Sequence, residues 1–170
     1  MIEDEIPKLV SEKLERLGGA SNFRRGAAVA AILSRHFVLA RPGWARWPEW
    51  GEPAAEGLHL VTYQLAGLPI SPGRRRALAE RLSQFDVEDD GSDEWQYALD
   101  LVSALIKGLE GADLDELLEH TATTYLDGAF TVIVNRLADE NGGVITQAEA
   151  GRRVPDTQDW HEVRAFFDGV

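Results

Sequence analysis

The sequence predicts an all-α protein, a single compact bundle of about seven helices with a loop rich in proline and tryptophan after the second helix. Two observations carry that prediction. Apolar residues recur at three- and four-residue spacing through most of the chain, and capping residues or Gly and Pro stand where those runs begin and end. Nothing competes with it, because no period-two run is flanked by a hairpin turn and no fixed-period repeat is present.

Taken in order, Ile6, Leu9, Val10, Leu14 and Leu17 form the first helix, with Asp4 placed to cap it and Gly18-Gly19 to stop it. Ser21 or Asn22 caps the second, whose stripe is Phe23, Ala27, Ala30, Leu33 and Phe37; its many alanines suggest close packing at the centre. Pro42, Pro48 and Pro53 then punctuate a loop that holds Trp44, Trp47 and Trp50. Pro53 suits the first turn of a third helix bearing Leu58, Val61 and Leu65, ended at Gly67 and Pro69. Ser71-Pro72 opens a fourth with Leu78, Leu82 and Phe85 inward. Its first turn carries Arg74, Arg75 and Arg76, and three cations there oppose the helix dipole, so something else must favour them.

Beyond the acidic stretch from Asp86 to Glu94, Ser92 caps a fifth helix through Trp95, Leu99, Val102, Leu105, Ile106 and Leu109, closed by Gly111. Asp113 with Glu116 has the form of a capping box and opens a long helix from Leu114 to Leu137, ended by Asn141-Gly142-Gly143. Thr146 with Glu149 is another such box, and Pro155-Asp156 starts a last helix with Trp160, Val163, Phe166 and Phe167 packed back.

The length of 170 residues and the balance of 44% apolar to 27% charged residues fit one folded helical domain over residues 1–170. Without cysteine there is no disulfide, thiolate metal cage or nucleophilic thiol. The start, Met1-Ile2-Glu3-Asp4-Glu5, is the reverse of a secretory signal, and no apolar run approaches the length of a membrane span, so the expectation is a cytoplasmic protein with no membrane partner. A net charge of -12 opposes binding to phosphate backbones, so no nucleic-acid partner is expected. Residues 1–87 carry 12 basic and 10 acidic side chains, a balance of +2, whereas residues 88–170 carry 5 and 19, a balance of -14. That polarity reads either as a solvated acidic surface or as a face for a basic partner, including the Arg-rich half of a second copy.

Two metal patterns arise. Glu56 and His59 have the Glu-x-x-His spacing of carboxylate bundles, and Glu116, Glu119 and His120 would supply further ligands if the two helix faces met. The stretch Asp86 to Gly91 alternates carboxylates before a glycine but has Tyr97 where a calcium loop needs its closing Glu. Asp139, Asn141 and Glu149 come closer to such a loop, one residue short. Both patterns compete with the simpler reading of solvated or helix-capping residues. The histidines His36, His59, His120 and His161 fall on separate helices and read as structural. No nucleophile elbow, phosphate loop or dinucleotide fingerprint is present. Arg74, Arg75 and Arg76, with Arg24 and Arg25, have the bidentate forks to grip a phosphate or a carboxylate, and beside the acidic second half they read as ion-pair formers within the chain or a dimer. Trp44, Trp47 and Trp50 read as a core plug, with an exposed patch for a partner as the alternative.

Several stretches carry a family likeness. They are the Ala-rich second helix with its Leu33-Ser34-Arg35 end, and the run Phe85 to Leu109 in which an acidic loop leads into Tyr97-Ala98-Leu99-Asp100. Leu114-Asp115-Glu116-Leu117-Leu118-Glu119-His120 follows, then the Thr146 cap with Pro155 and Trp160. In that order they resemble the YjaG-like family of bacterial helical proteins of unknown function, over most of the chain. The chain departs from the family pattern in the proline and tryptophan loop and in ending soon after Phe167. The resemblance implies a compact helical bundle that self-associates. The functional expectation is a non-enzymatic protein that binds another protein or itself as a homodimer, with no cofactor; the alternative is a metal-binding helical protein.

Overall fold

A computed structural model describes residues 2–170, with side chains from Glu5 onward. The described residues form eight α-helices: α1 (Ile2–Gly18), α2 (Asn22–Trp44), α3 (Pro48–Leu65), α4 (Pro72–Leu82), α5 (Asp93–Leu109), α6 (Leu114–Glu140), α7 (Gln147–Arg153) and α8 (Gln158–Gly169), with a 3-10 turn at Val154–Asp156. Among those residues no strand occurs and no helix is long and apolar enough to cross a membrane. Helix α2 is the hub, packed against α3, α5 and α6; α4 lies on α3 and α5, whereas α1 and α8 lie on α6.

The capping residues fall where the sequence places them. Ser21, Ser71, Ser92, Asp113 and Thr146 each accept a hydrogen bond from the backbone N–H three residues on, satisfying a donor that the helix leaves unpaired. The reciprocal half of the two expected capping boxes is replaced, because the Glu116 carboxylate meets Lys107 and that of Glu149 meets Arg153. Helix α1 runs from Ile2, so Asp4 lies inside it rather than capping it, and its side chain falls outside the described residues.

The expected proline and tryptophan loop is a correction. Helix α2 continues through Pro42 to Trp44 and α3 opens at Pro48, leaving only a tight turn at residues 45–47. Pro42 costs one ladder bond near the helix end, to the carbonyl of Val38, a residue 55% exposed where water can replace it. Pro48 stands in the first turn, where its missing N–H has no ladder partner to lose. Pro53 therefore sits inside α3 rather than opening it. Likewise Pro155 lies in the 3-10 turn, and Thr157 caps α8 by accepting from Trp160 N at 3.2 Å.

The buried face of α2 is also a correction. Gly26, Val29, Ile32, Leu33, His36 and Ala40 are buried, while Phe23 and Ala27 of the expected stripe are exposed. A helix packed on three neighbours is apolar over more than one face, so periodicity alone picks one seam of several.

Two clusters of buried side chains result. The larger joins α2, α3 and α5 through residues such as Leu33, Val61, Leu101 and Leu105; the second joins α1, α6 and α8 through Leu9, Tyr125, Leu126, Trp160 and Phe167. Each fully buried leucine stabilises the fold by about 2 kcal/mol. Close approach of α3 to α5 needs glycine on both: a Cβ on Gly108 would lie 2.9 Å from Val61 Cγ2, and one on Gly57 would lie 3.1 Å from Leu105 Cδ1.

Candidate functional site

The residues of the expected metal site are held apart. Glu56 on α3 accepts from Arg74 Nε and Nη2 at 2.9 and 2.8 Å, and His59 stacks on Tyr63 with ring centroids 6.3 Å apart. On α6, Glu116 pairs with Lys107, His120 Nε2 lies 3.2 Å from Ser103 Oγ, and Glu119 lines a groove against α1. Helix α5 packs against both α3 and α6, and among the described residues no three His, Asp or Glu side chains converge as a metal would require.

The calcium-like loops are occupied by protein groups. Asp89 and Asp90 accept from the N–H groups of Gly91 and Ser92, and Asp90 also meets Arg46 at 3.3 Å. In the second loop Asn141 Nδ2 donates to the Leu137 carbonyl at 2.8 Å, closing the end of α6. Arg153 stands between Glu140 and Glu149, at 3.7 and 3.4 Å, so a guanidinium bridges the carboxylates there. Asp139 remains exposed.

The arginine and tryptophan candidates are largely used internally. Arg74 holds Glu56. Arg75 donates to Gln64 Oε1 at 3.2 Å and lies against Gly111 at the C-terminal end of α5, where the helix dipole favours a cation. Arg76 stays exposed beside them, and Arg25 meets Asp115 across the chain at 2.5 Å. Trp44 and Trp47 are buried edge to face, Arg46 covers Trp47, and Trp50 meets Phe85 edge-on at 5.2 Å. The tryptophans plug the end of the α2, α3 and α5 core.

Two surfaces walled by α2 lie outside what the sequence singles out. The first is a recess of about 130 Å³ between α2 and α3, floored by Gly26, Ala27, Ala30, Leu65 and Ala66. At its mouth stands Phe23, 76% exposed, and Leu68 follows the end of α3 at 52% exposed. No charged side chain lines it.

The second is a cleft, also of about 130 Å³, between α2, α5, α6 and α8. Arg35, Tyr97, Tyr125, Arg136, Asp159 and Glu162 bring polar groups to it, and Leu39, Val132 and Val163 add apolar wall. Arg136 is neutralised by Asp93 and Asp159 at 2.5 and 2.7 Å. Arg35 stacks its guanidinium on Phe166, its Nε is buried without a partner, and no carboxylate lies within ion-pair distance among the described residues. Burial raises the phenol pKa of both Tyr97 and Tyr125, so both stay protonated and able to donate.

Beside these tyrosines lies His36, wholly buried, its ring 5.2 Å from that of Tyr125 and 6.3 Å from that of Tyr97. Neither ring nitrogen has a hydrogen-bond partner among the described residues, and burial lowers its pKa to about 3, so the ring is neutral at pH 7. Two further groups are displaced by burial. Lys13 on α1 is 1% exposed, with its ammonium over the Phe167 ring and no hydrogen-bond partner; desolvation, then Arg16, lower its pKa to about 8. Asp100 on α5 sits in the notch left by Gly128 on α6, and burial raises its carboxyl to about 7 although Gln96 Nε2 bonds both oxygens at 3.1 Å.

Comparison with protein-family models, with curated proteins and with solved structures finds no match to this chain.

Proposed function

We propose that this chain is a self-associating interaction protein in which the α2–α3 face meets the same face of a second copy. The observation that supports it is Phe23, 76% exposed beside a recess of small apolar residues. A ring of that size fits a space of this order, since a cavity of about 150 Å³ takes benzene. In a two-fold contact each copy supplies the ring and the recess, so both aromatic side chains leave water together. Burying one phenylalanine stabilises by about 2 kcal/mol, and the pair by twice that.

Charge supports the same face. Two chains of net charge -12 repel, and least where they meet through residues 1–87, whose balance is +2 and which hold α2 and α3. The self-association implied by the YjaG-like resemblance agrees with this reading. Sedimentation at low and high salt tests it: an apolar contact between like-charged copies tightens as salt screens the repulsion, whereas pairing of Arg74, Arg75 and Arg76 with the acidic half of another copy would loosen. Phe23→Glu is expected to weaken association at least about 100-fold. A monomeric wild type at high concentration, or a Phe23→Glu protein that assembles unchanged, would remove this face as the contact.

A further inference from the structure

We propose that the cleft between α2, α5, α6 and α8 binds a small zwitterion, an α-amino acid with a short side chain, holding its carboxylate on Arg35 and its ammonium on Glu162. The inference stands apart from the self-association reading and uses a different face of α2. Arg35 and Glu162 line one cleft of about 130 Å³, yet neither has an ion-pair partner among the described residues and they do not pair with each other. The side-chain contact of Glu162 is a hydrogen bond accepted from Gln158 Nε2 at 3.1 Å. The remaining charges on the lining are Arg136 and Asp159, which pair with each other at 2.7 Å.

Arg35 is half-buried, and its guanidinium meets the Tyr125 hydroxyl and the Phe166 ring but no carboxylate, so a bound anion would supply the charge partner it lacks. A simple anion would share the cleft with the unpaired Glu162 carboxylate, and like charges in one site disfavour that. A ligand carrying both charges satisfies both walls. Tyr97 is 92% buried by its residual exposure of 8%, and its hydroxyl has no hydrogen-bond partner among the described residues, so it is free to donate to the bound carboxylate. Leu39, Val132 and Val163 accept a short apolar side chain. Size limits the choice: a cavity of about 150 Å³ holds benzene, which has as many non-hydrogen atoms as alanine.

The test uses the full chain and L-alanine, with acetate and methylammonium as the two half-ligands, read by calorimetry and by NMR shifts of the α2 and α8 amides. Saturable binding of L-alanine, at least tenfold tighter than either half-ligand, is the expected result. Glu162→Gln, at an exposed position, should weaken alanine tenfold or more while acetate binds more tightly, its like-charge neighbour being gone. Arg35→Met should remove both. Equal binding of alanine and acetate would reduce the cleft to an anion site and overturn the proposal. So would the absence of saturable alanine binding at about 10 mM, beyond the range of a useful affinity, or full binding by Glu162→Gln.

Discussion

The core built by α2, α3 and α5 and the core built by α1, α6 and α8 are packed from similar aliphatic side chains, but they bury different polar groups. In the first, Gly57 and Gly108 let helices touch backbone to side chain, Trp44 and Trp47 close one end, and the unpartnered buried polar atom among its members is Trp44 Nε1. Against the second stands Lys13 with an unpartnered buried ammonium, and His36 lies on the seam between the two, against Tyr97 on one side and Tyr125 on the other. Burying such groups without partners costs about 1–3 kcal/mol each, more for a charge. The first core leaves an indole N–H unpartnered and the second region a lysine ammonium, and the polar cleft is lined by both, by Tyr97 and Val132 of the first and by Tyr125 and Ile133 of the second.

Substitutions can break that contrast. The largest effect at pH 7 belongs to the first core, where Leu105→Ala removes a wholly buried side chain packed against Gly57 and should cost about 4 kcal/mol in denaturant unfolding. A gain comes next, from the second region. Lys13 is charged in both folded and unfolded states below about pH 8, so the cost of burying it is fully present at pH 7. Its shift from 10.5 to about 8 sets that cost at no more than about 3 kcal/mol. Lys13→Met should therefore raise the melting temperature at pH 7. Its advantage over wild type should shrink between about pH 8 and 10.5, where the folded wild type sheds the proton and the penalty is relieved. An advantage that stays constant over that range would mean the ammonium finds a partner.

The smallest neutral-pH effect is that of His36→Phe, a gain of about 1 kcal/mol from removing two unpartnered nitrogens. Its signature lies in acid. As pH falls from 6.5 toward about 3 the unfolded chain takes up a proton that the folded histidine refuses, so wild type loses stability there. The phenylalanine protein lacks that contribution, and the difference between the two should widen across the same interval. Parallel acid-unfolding curves would show that His36 is not held neutral.

These positions explain what was legible in the sequence and what was not. Helix existence and capping were legible, because Ser71, Ser92, Asp113 and Thr146 act through local backbone geometry. The course of residues 41–53 was not, since Pro42 and Pro48 break helices in general yet sit here at positions where a missing N–H costs little. The polar cleft was not legible either, as its members come from four helices far apart in the chain. A local signal for its neighbourhood did exist: Lys13 stands four residues from Leu9 and from Leu17, and His36 four from Ile32 and from Ala40, polar residues on stripe positions that periodicity reserves for the core. The Glu56 and His59 spacing gives no sign that Arg74, eighteen positions from Glu56 in sequence, holds that carboxylate.

Helix α2 carries Phe23 near one end and Arg35 near its middle, about 18 Å apart at the rise of an α-helix. A rod of that length, gripped by three neighbours, turns as one piece. The recess beside Phe23 and the cleft beside Arg35 are therefore walled by one continuous helix.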